Sequence, residues 1–128
     1  MILGIGIDVT EIGRVEEAMA RHGERFERRI LTDRERDYCR RHRFPAPHVA
    51  ARFAAKEAAL KALGTGLSGG IAWRDVEIAR GRTGAPALEL HGRAAEVAAA
   101  LGVTRAHVSL THGRGVAAAV VVLEGESR

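Results

Sequence analysis

Two carboxylates and a lysine hold the chemistry that residue types and spacing suggest. Asp8 ends an apolar N-terminal run, and Glu57 and Lys61 lie in an alanine-rich stretch near the middle of the chain. Glu57 and Lys61 are one helical turn apart, the spacing of an ordinary surface ion pair, and that is the plainer reading. Asp8 opens a second one. Hard divalent cations such as magnesium take oxygen ligands, commonly one or two carboxylates completed by water and substrate phosphates. Lys61 beside such a site would neutralise a bound phosphate. Two carboxylates held together without a cation repel, so a metal, a shared proton, Lys56 or Lys61 must compensate. His107, Ser109, Thr111 and His112 form a further row of donors, whose plainer reading is the wet outer face of an edge strand. These positions support a magnesium-dependent site for phosphate chemistry.

The elements that must position them come next. Arg52 to Gly66 reads as a helix, rich in Ala, Leu, Lys and Glu, with Gly64 at a left-handed C-terminal cap. Phe53, Leu60 and Leu63 occupy one arc, and Ala54, Ala55, Ala58, Ala59 and Ala62 fill most of the rest, so burial nearly all round is expected. Charges on such a helix need partners. Met1 to Val9 reads as a strand buried on both faces, with Leu3, Ile5, Ile7 and Val9 opposite Ile2, Gly4, Gly6 and Asp8. The two glycines remove side chains where another element approaches the backbone closely. The helix is therefore expected on the Gly4/Gly6 face, bringing Asp8 close to Glu57.

Thr10 is expected to cap a helix from Glu11 to His22 that Gly23 ends. Arg14, Ala18, Arg21 and, if the helix continues past Gly23, Arg25 fall on one stripe, ordinarily a solvated face. A short helix from Asp33 to about His42 reads as salt-bridged and exposed, and Phe44-Pro-Ala-Pro47 breaks helicity before the central helix begins near His48. Trp73 to Ala79 and Ala87 to His91 read as a hairpin, Gly92 to Leu101 as a helix and Ala106 to Thr111 as a strand. Val116 to Leu123 is apolar throughout, and must be central or bury one face against another subunit.

At 128 residues one domain, 1–128, is expected. The absence of a membrane-length apolar run or a secretory signal predicts a cytoplasmic protein, and the lone Cys39 agrees with a reducing compartment. A net charge of +4 and a pI of about 10.2 call for an anionic partner, while 4% aromatic content argues against a base-stacking surface. Gly64-Thr65-Gly66 lacks the ending of a Walker motif, and no nucleophile has an identifiable base beside it.

Gly4-Ile-Gly-Ile-Asp8-Val-Thr-Glu-Ile12, followed by Arg52-Phe-Ala-Ala-Lys-Glu57-Ala-Ala-Leu-Lys61-Ala-Leu-Gly-Thr-Gly66, resembles the holo-(acyl carrier protein) synthases, the small type of phosphopantetheinyl transferase. Arg25 to Thr32 with Glu35, Gly84-x-Pro86, and His107-Val-Ser-Leu-Thr-His112 before Ala117 match in the same order. The resemblance implies an α+β fold: a single compact domain with a small, mostly antiparallel sheet packed on the alanine-rich helix. It further implies a homotrimer with active sites between subunits. The implied reaction moves phosphopantetheine from coenzyme A to a serine of apo acyl carrier protein, releases adenosine 3',5'-bisphosphate and supports fatty acid biosynthesis. Asp8 and Glu57 are then the magnesium ligands and, with Lys61, the catalytic residues. Arg52, Lys61, Gly64, Thr65, Pro86, His107, Thr111 and His112 are implied to bind the coenzyme. Arg14, Arg21, Arg25, Phe26 and Arg29 are implied to dock the acidic carrier. Neither nucleic acid nor membrane is an expected partner. The rivals are a small nucleic-acid-binding module, which pI alone favours, and a regulatory coenzyme-binding domain without catalysis.

Overall fold

A computed structural model of the chain describes residues 1–126. It is an α+β structure built on strand β1 (Ile2–Glu11), helices α1 (Ile12–His22), α2 (Glu24–Ile30), α3 (Asp33–Arg40) and α4 (Ala46–Leu63), a 3-10 turn (Trp73–Asp75), the hairpin β2 (Val76–Arg80) and β3 (Pro86–Leu90), helix α5 (Gly92–Leu101), and strands β4 (Val103–His112) and β5 (Val116–Gly125). The antiparallel sheet runs β1-β5-β4, so β5, apolar from Val116 to Leu123, is central; β2 and β3 form a separate pair. No helix among the described residues is long and apolar enough to cross a membrane.

α4 is buried almost all round because small side chains let three elements approach it at once. Ala54, Ala55, Ala58, Ala59 and Leu60 join Ala119, Val121 and Leu123 of β5 in the main core. β1 comes closest: a Cβ on Gly4 would stand 2.1 Å from the Ala62 carbonyl oxygen, and one on Gly6 only 1.9 Å from that of Ala58. Both contacts are to backbone, so no rotamer change relieves them. At the C-terminus, Gly64 takes φ 80° and its N–H donates to Leu60 O at 3.1 Å, ending the helix as expected. A second core, with Ile12, Val15, Ile30, Leu31, Cys39 and Val49, ties α1, α2 and α3 to the start of α4. Burial pushes the Cys39 thiol up to about 11, so it carries no reactive thiolate.

Several expectations are corrected. β1 is buried on one face only: Ile5, Ile7 and Val9 are 64%, 65% and 63% exposed, because β1 is an edge strand and α4 covers only its glycine face. Thr10 does not cap α1; it remains in β1 and donates to Asp8, while α1 starts after Glu11 without a side-chain cap. Gly23 ends α1 as expected, but α2 begins directly after it. α4 starts at Ala46, earlier than expected, since Pro45 and Pro47 flank that residue where a missing N–H is tolerated in a first turn. Trp73–Asp75 is a turn, not strand, and Asp75 accepts from the Ala72 N–H across it. α3 ends at Arg40, and its Glu35 is buried, not exposed.

Candidate functional site

α4 presents functional side chains on two faces. On the first, the expected convergence occurs: Asp8, Glu57 and Lys61 line one cavity of about 500 Å³ with Thr10, Arg14, Phe26 and Phe53. The glycine face of β1 sets this up, because Asp8 follows Gly4 and Gly6 in the alternation that presses against α4. Lys61 Nζ donates to Asp8 Oδ1 at 3.1 Å and to Ile7 O at 3.0 Å, and Thr10 Oγ1 donates to Asp8 Oδ2 at 3.0 Å. Lys61 thus pairs with Asp8, and the plain Glu57–Lys61 ion pair is not among the salt bridges of the described residues. Burial first, then the Asp8 charge, raise the pKa of Glu57 above its ordinary 4.5, with Lys61 pulling the other way. Two carboxylates opening on one cavity, one of them reluctant to ionise without a nearby cation, suit a hard divalent ion.

The second face carries Arg52, whose side chain is buried with its Nε lacking a hydrogen-bond partner among the described residues. Its guanidinium lies 4.0 Å from the centroid of the Tyr38 ring; Arg80 lies at 5.0 Å and donates to the Tyr38 hydroxyl at 2.7 Å. His42 stacks on His48 at 3.5 Å between centroids, and His48 meets His112 edge-on at 5.1 Å. Burial, then the neighbouring His42, His112 and Arg52, push His48 down to about 4, so it is neutral near pH 7. Tyr38, His48, Arg52, Arg80, Gly84, Pro86, Thr111 and His112 line a cavity of about 300 Å³ without a carboxylate. Two arginines in a wall free of acid favour an anion.

Of the expected coenzyme positions, Arg52, Pro86, Thr111 and His112 therefore meet here, and Lys61 opens on the other cavity. Gly64 and Thr65 lie beyond the C-terminal end of α4, with the Thr65 carbonyl accepting from Ser68 Oγ at 2.7 Å. His107 points to the outer face of β4 and bonds the Glu124 carboxylate. Within the chain these eight positions do not form one cavity. Sequence reasoning missed Tyr38, His48 and Arg80; the only available signal was that His48 and Arg52 stand one helical turn apart. Among the expected docking positions, Arg14 and Phe26 open on the first cavity, and Phe26 with Arg25 and Arg29 lines a shallow depression next to it. Arg21 is exposed at the end of α1.

Glu77, Glu89 and His91 also bring potential metal-ligating atoms within 4.8 Å of one another. Arg34 already serves as their cation: its Nη2 stands 2.7 Å from Glu77 Oε1 and 2.9 Å from Glu89 Oε1. The hydrogen bond from Arg34 outweighs burial and holds Glu77 down at about 2.

An α+β fold in which the glycine face of a strand brings its Asp8 into one cavity with Glu57 of α4 points to a class, and the chain's relatives agree on which one. Residues 4–121 match the model of the 4'-phosphopantetheinyl transferase superfamily, and the chain belongs to this family of transferases. A holo-[acyl-carrier-protein] synthase of Nitratidesulfovibrio vulgaris is 57% identical over 97% of this chain and 99% of its own length. The crystal structure of the holo-[acyl-carrier-protein] synthase of Neisseria meningitidis superposes with a TM-score of 0.87 at 34% identity, covering 97% of this chain and 99% of that one. That of Bacillus anthracis, solved in complex with CoA (3',5'-ADP), superposes with a TM-score of 0.80 at 35% identity, covering 98% and 99%.

Proposed function

We propose that the chain, acting over residues 1–128 as one domain, transfers phosphopantetheine from coenzyme A to a serine of apo acyl carrier protein in the cytoplasm. Adenosine 3',5'-bisphosphate is released, and the holo carrier serves fatty acid synthesis. The observation that carries this reading is the single cavity in which Asp8, Glu57 and Lys61 meet Arg14 and Phe26, a phosphate-handling group continuous with a basic, partly apolar surface. Asp8 and Glu57 would hold a magnesium ion, which when bound neutralises the pyrophosphate of the coenzyme. Lys61 is fixed by Asp8 and Ile7 O with its ammonium half exposed, so it places positive charge beside the leaving phosphate. The serine oxygen forms a bond to the phosphorus of the phosphopantetheine arm as the pyrophosphate P–O bond breaks, its electron pair leaving with the adenosine bisphosphate, and the serine proton passes to Glu57 or to a water at the cavity. Positioning and charge neutralisation supply most of the rate. Arg14, Arg21, Arg25 and Arg29, with Phe26 as apolar anchor, steer the acidic carrier to the cavity.

The split of the coenzyme positions between two faces of α4 supports a homotrimer with sites between subunits. So does the open side of the sheet. Ile5, Ile7 and Val9 of β1 lie in register with Val122, Val120 and Ala118 of β5, making an apolar surface that an isolated subunit leaves in water. In this reading a neighbour seated there completes the site, its Arg52, Pro86, Thr111, His107 and His112 serving together with Gly64 and Thr65 of this chain. Arg52 and its acid-free cavity suit the anionic end of the coenzyme.

The deciding experiment incubates the protein with coenzyme A, magnesium chloride and apo acyl carrier protein, and weighs the carrier by mass spectrometry. One added phosphopantetheine per carrier, lost with a chelator, is expected. An unchanged carrier mass, with a known transferase working in parallel, overturns the reading.

A further inference from the structure

Lys56 is fully buried, and its ammonium lies 2.8 Å from Glu35 Oε1 of an equally buried Glu35. Its other bonds go to backbone: Nζ donates to Trp73 O at 3.2 Å and to Val76 O. Glu35 is saturated in turn. Oε1 also accepts from the Thr32 N–H at 2.8 Å, and Oε2 accepts from the Ile78 N–H at 2.8 Å. Each donor and acceptor has a partner, which is what allows two charges to sit in the core at all. Desolvation pulls Lys56 down from its ordinary value and Glu35 opposes that.

What these bonds hold is the beginning of the hairpin. Trp73 and Val76 flank the point where the 3-10 turn becomes β2, and the Ile78 amide finds its acceptor on α3. α3 thus stands in for a neighbouring strand along this edge of a two-stranded sheet. Side chains alternate along a strand, so fixing Ile78 inward also fixes Arg80, two residues on, to the same side. Pro86 is directly opposite Arg80 in the β2–β3 register. Arg80, Gly84 and Pro86 all line the second cavity, across from Arg52, which precedes Lys56 by one turn of α4.

We infer that Glu35 and Lys56 are positioning residues for the anion-binding cavity: bridging α3, α4 and β2, they lock the hairpin so that Arg80 and Pro86 face Arg52. The inference rests on the coenzyme reading of that cavity. A purely stabilising pair could be replaced by apolar side chains with little consequence. A positioning pair could not, because only its bonds to Trp73 O, Val76 O and the Ile78 amide select the hairpin's placement.

The test uses the full chain as Glu35→Gln, and as the double variant Glu35→Leu/Lys56→Met, which leaves no unpaired buried charge. Binding of coenzyme A by calorimetry and the KM for coenzyme A are both expected to weaken roughly tenfold. kcat and the KM for the carrier stay within about twofold, and the Ile78 amide exchanges faster. Arg80→Ala added to the double variant is expected to cause little further loss, since the pair acts through Arg80. Unchanged coenzyme affinity in a folded variant, losses that simply add, or failure of the double variant to fold would each overturn the proposal. Failure of the unaltered protein to bind coenzyme A would instead bring down the reading of the cavity.

Discussion

Two lysines on α4, five residues apart, meet opposite fates. Lys61 stands at the mouth of a cavity with its side chain 53% exposed, bonded to Asp8 and one carbonyl. Lys56 is sealed, bonded to Glu35 and two carbonyls. The difference lies in what covers each face of the helix. β1 is thinned by Gly4 and Gly6 and leaves the end near Asp8 open, whereas α3 and the hairpin close over Lys56. An ammonium that opens on water can serve a ligand; one in the core can only serve the fold that holds it.

The comparison can be broken in three ways. The largest effect is expected on the open face: Glu57→Gln should lower carrier modification by roughly a thousandfold or more, as removal of a metal ligand and pre-set charge does. Its melting temperature should not fall. A carboxylate with a raised pKa weakens the fold as pH rises through that pKa, so removing its charge is neutral or stabilising at pH 7. A lowered melting temperature would make Glu57 a structural residue. The second contrast is between the lysines. Lys56→Met, which strands buried Glu35, should destabilise by about 3–5 kcal/mol in denaturant titration. Lys61→Met, which loses an exposed pair, should cost about 1 kcal/mol or less. Equal losses would erase the distinction between the two faces. The smallest effect is a titration. In Asp8→Asn the like charge beside Glu57 is gone, so its midpoint, followed by NMR of the side-chain carboxyl, should move down. Burial, the larger cause of the raised pKa, persists in the variant. An unmoved midpoint would place Asp8 too far away to share a cation.

The open face was legible in the sequence and the sealed one was not, for a physical reason. Gly4, Gly6 and the alanines of α4 are complementary small surfaces, and complementarity fixes which elements touch; Asp8 and Glu57 then follow from the two periodicities. Nothing local marks Lys56. Its burial depends on Glu35, which reads as part of an exposed, charged helix because a capping box and a buried ion pair use the same residue types. The Arg52 cavity was half visible: Pro86, Thr111 and His112 came from motif resemblance, while Tyr38, His48 and Arg80 enter it only through the packing of α3 and the hairpin. The exposure of Ile5, Ile7 and Val9 was hidden for a third reason, since apolarity in a strand reports a need for cover without saying which chain supplies it.

The pairing of β1 with β5 has a consequence for the order in which the chain becomes competent. Ile2–Glu11 forms its ladder with Val116–Gly125, and the Met1 ammonium donates to Gly125 O at 3.0 Å. Contacts so distant in sequence must close nearly the whole chain as a loop before they are rewarded, which slows folding. During synthesis β1 emerges long before β5, its partner in the ladder. Until β5 is made only the glycine-faced contact with α4 holds Asp8 near Glu57. A chain without β5 would keep α4 and both lysines but lose the ladder that fixes β1, so the position of Asp8 relative to Glu57 would be set firmly only once β5 is in place.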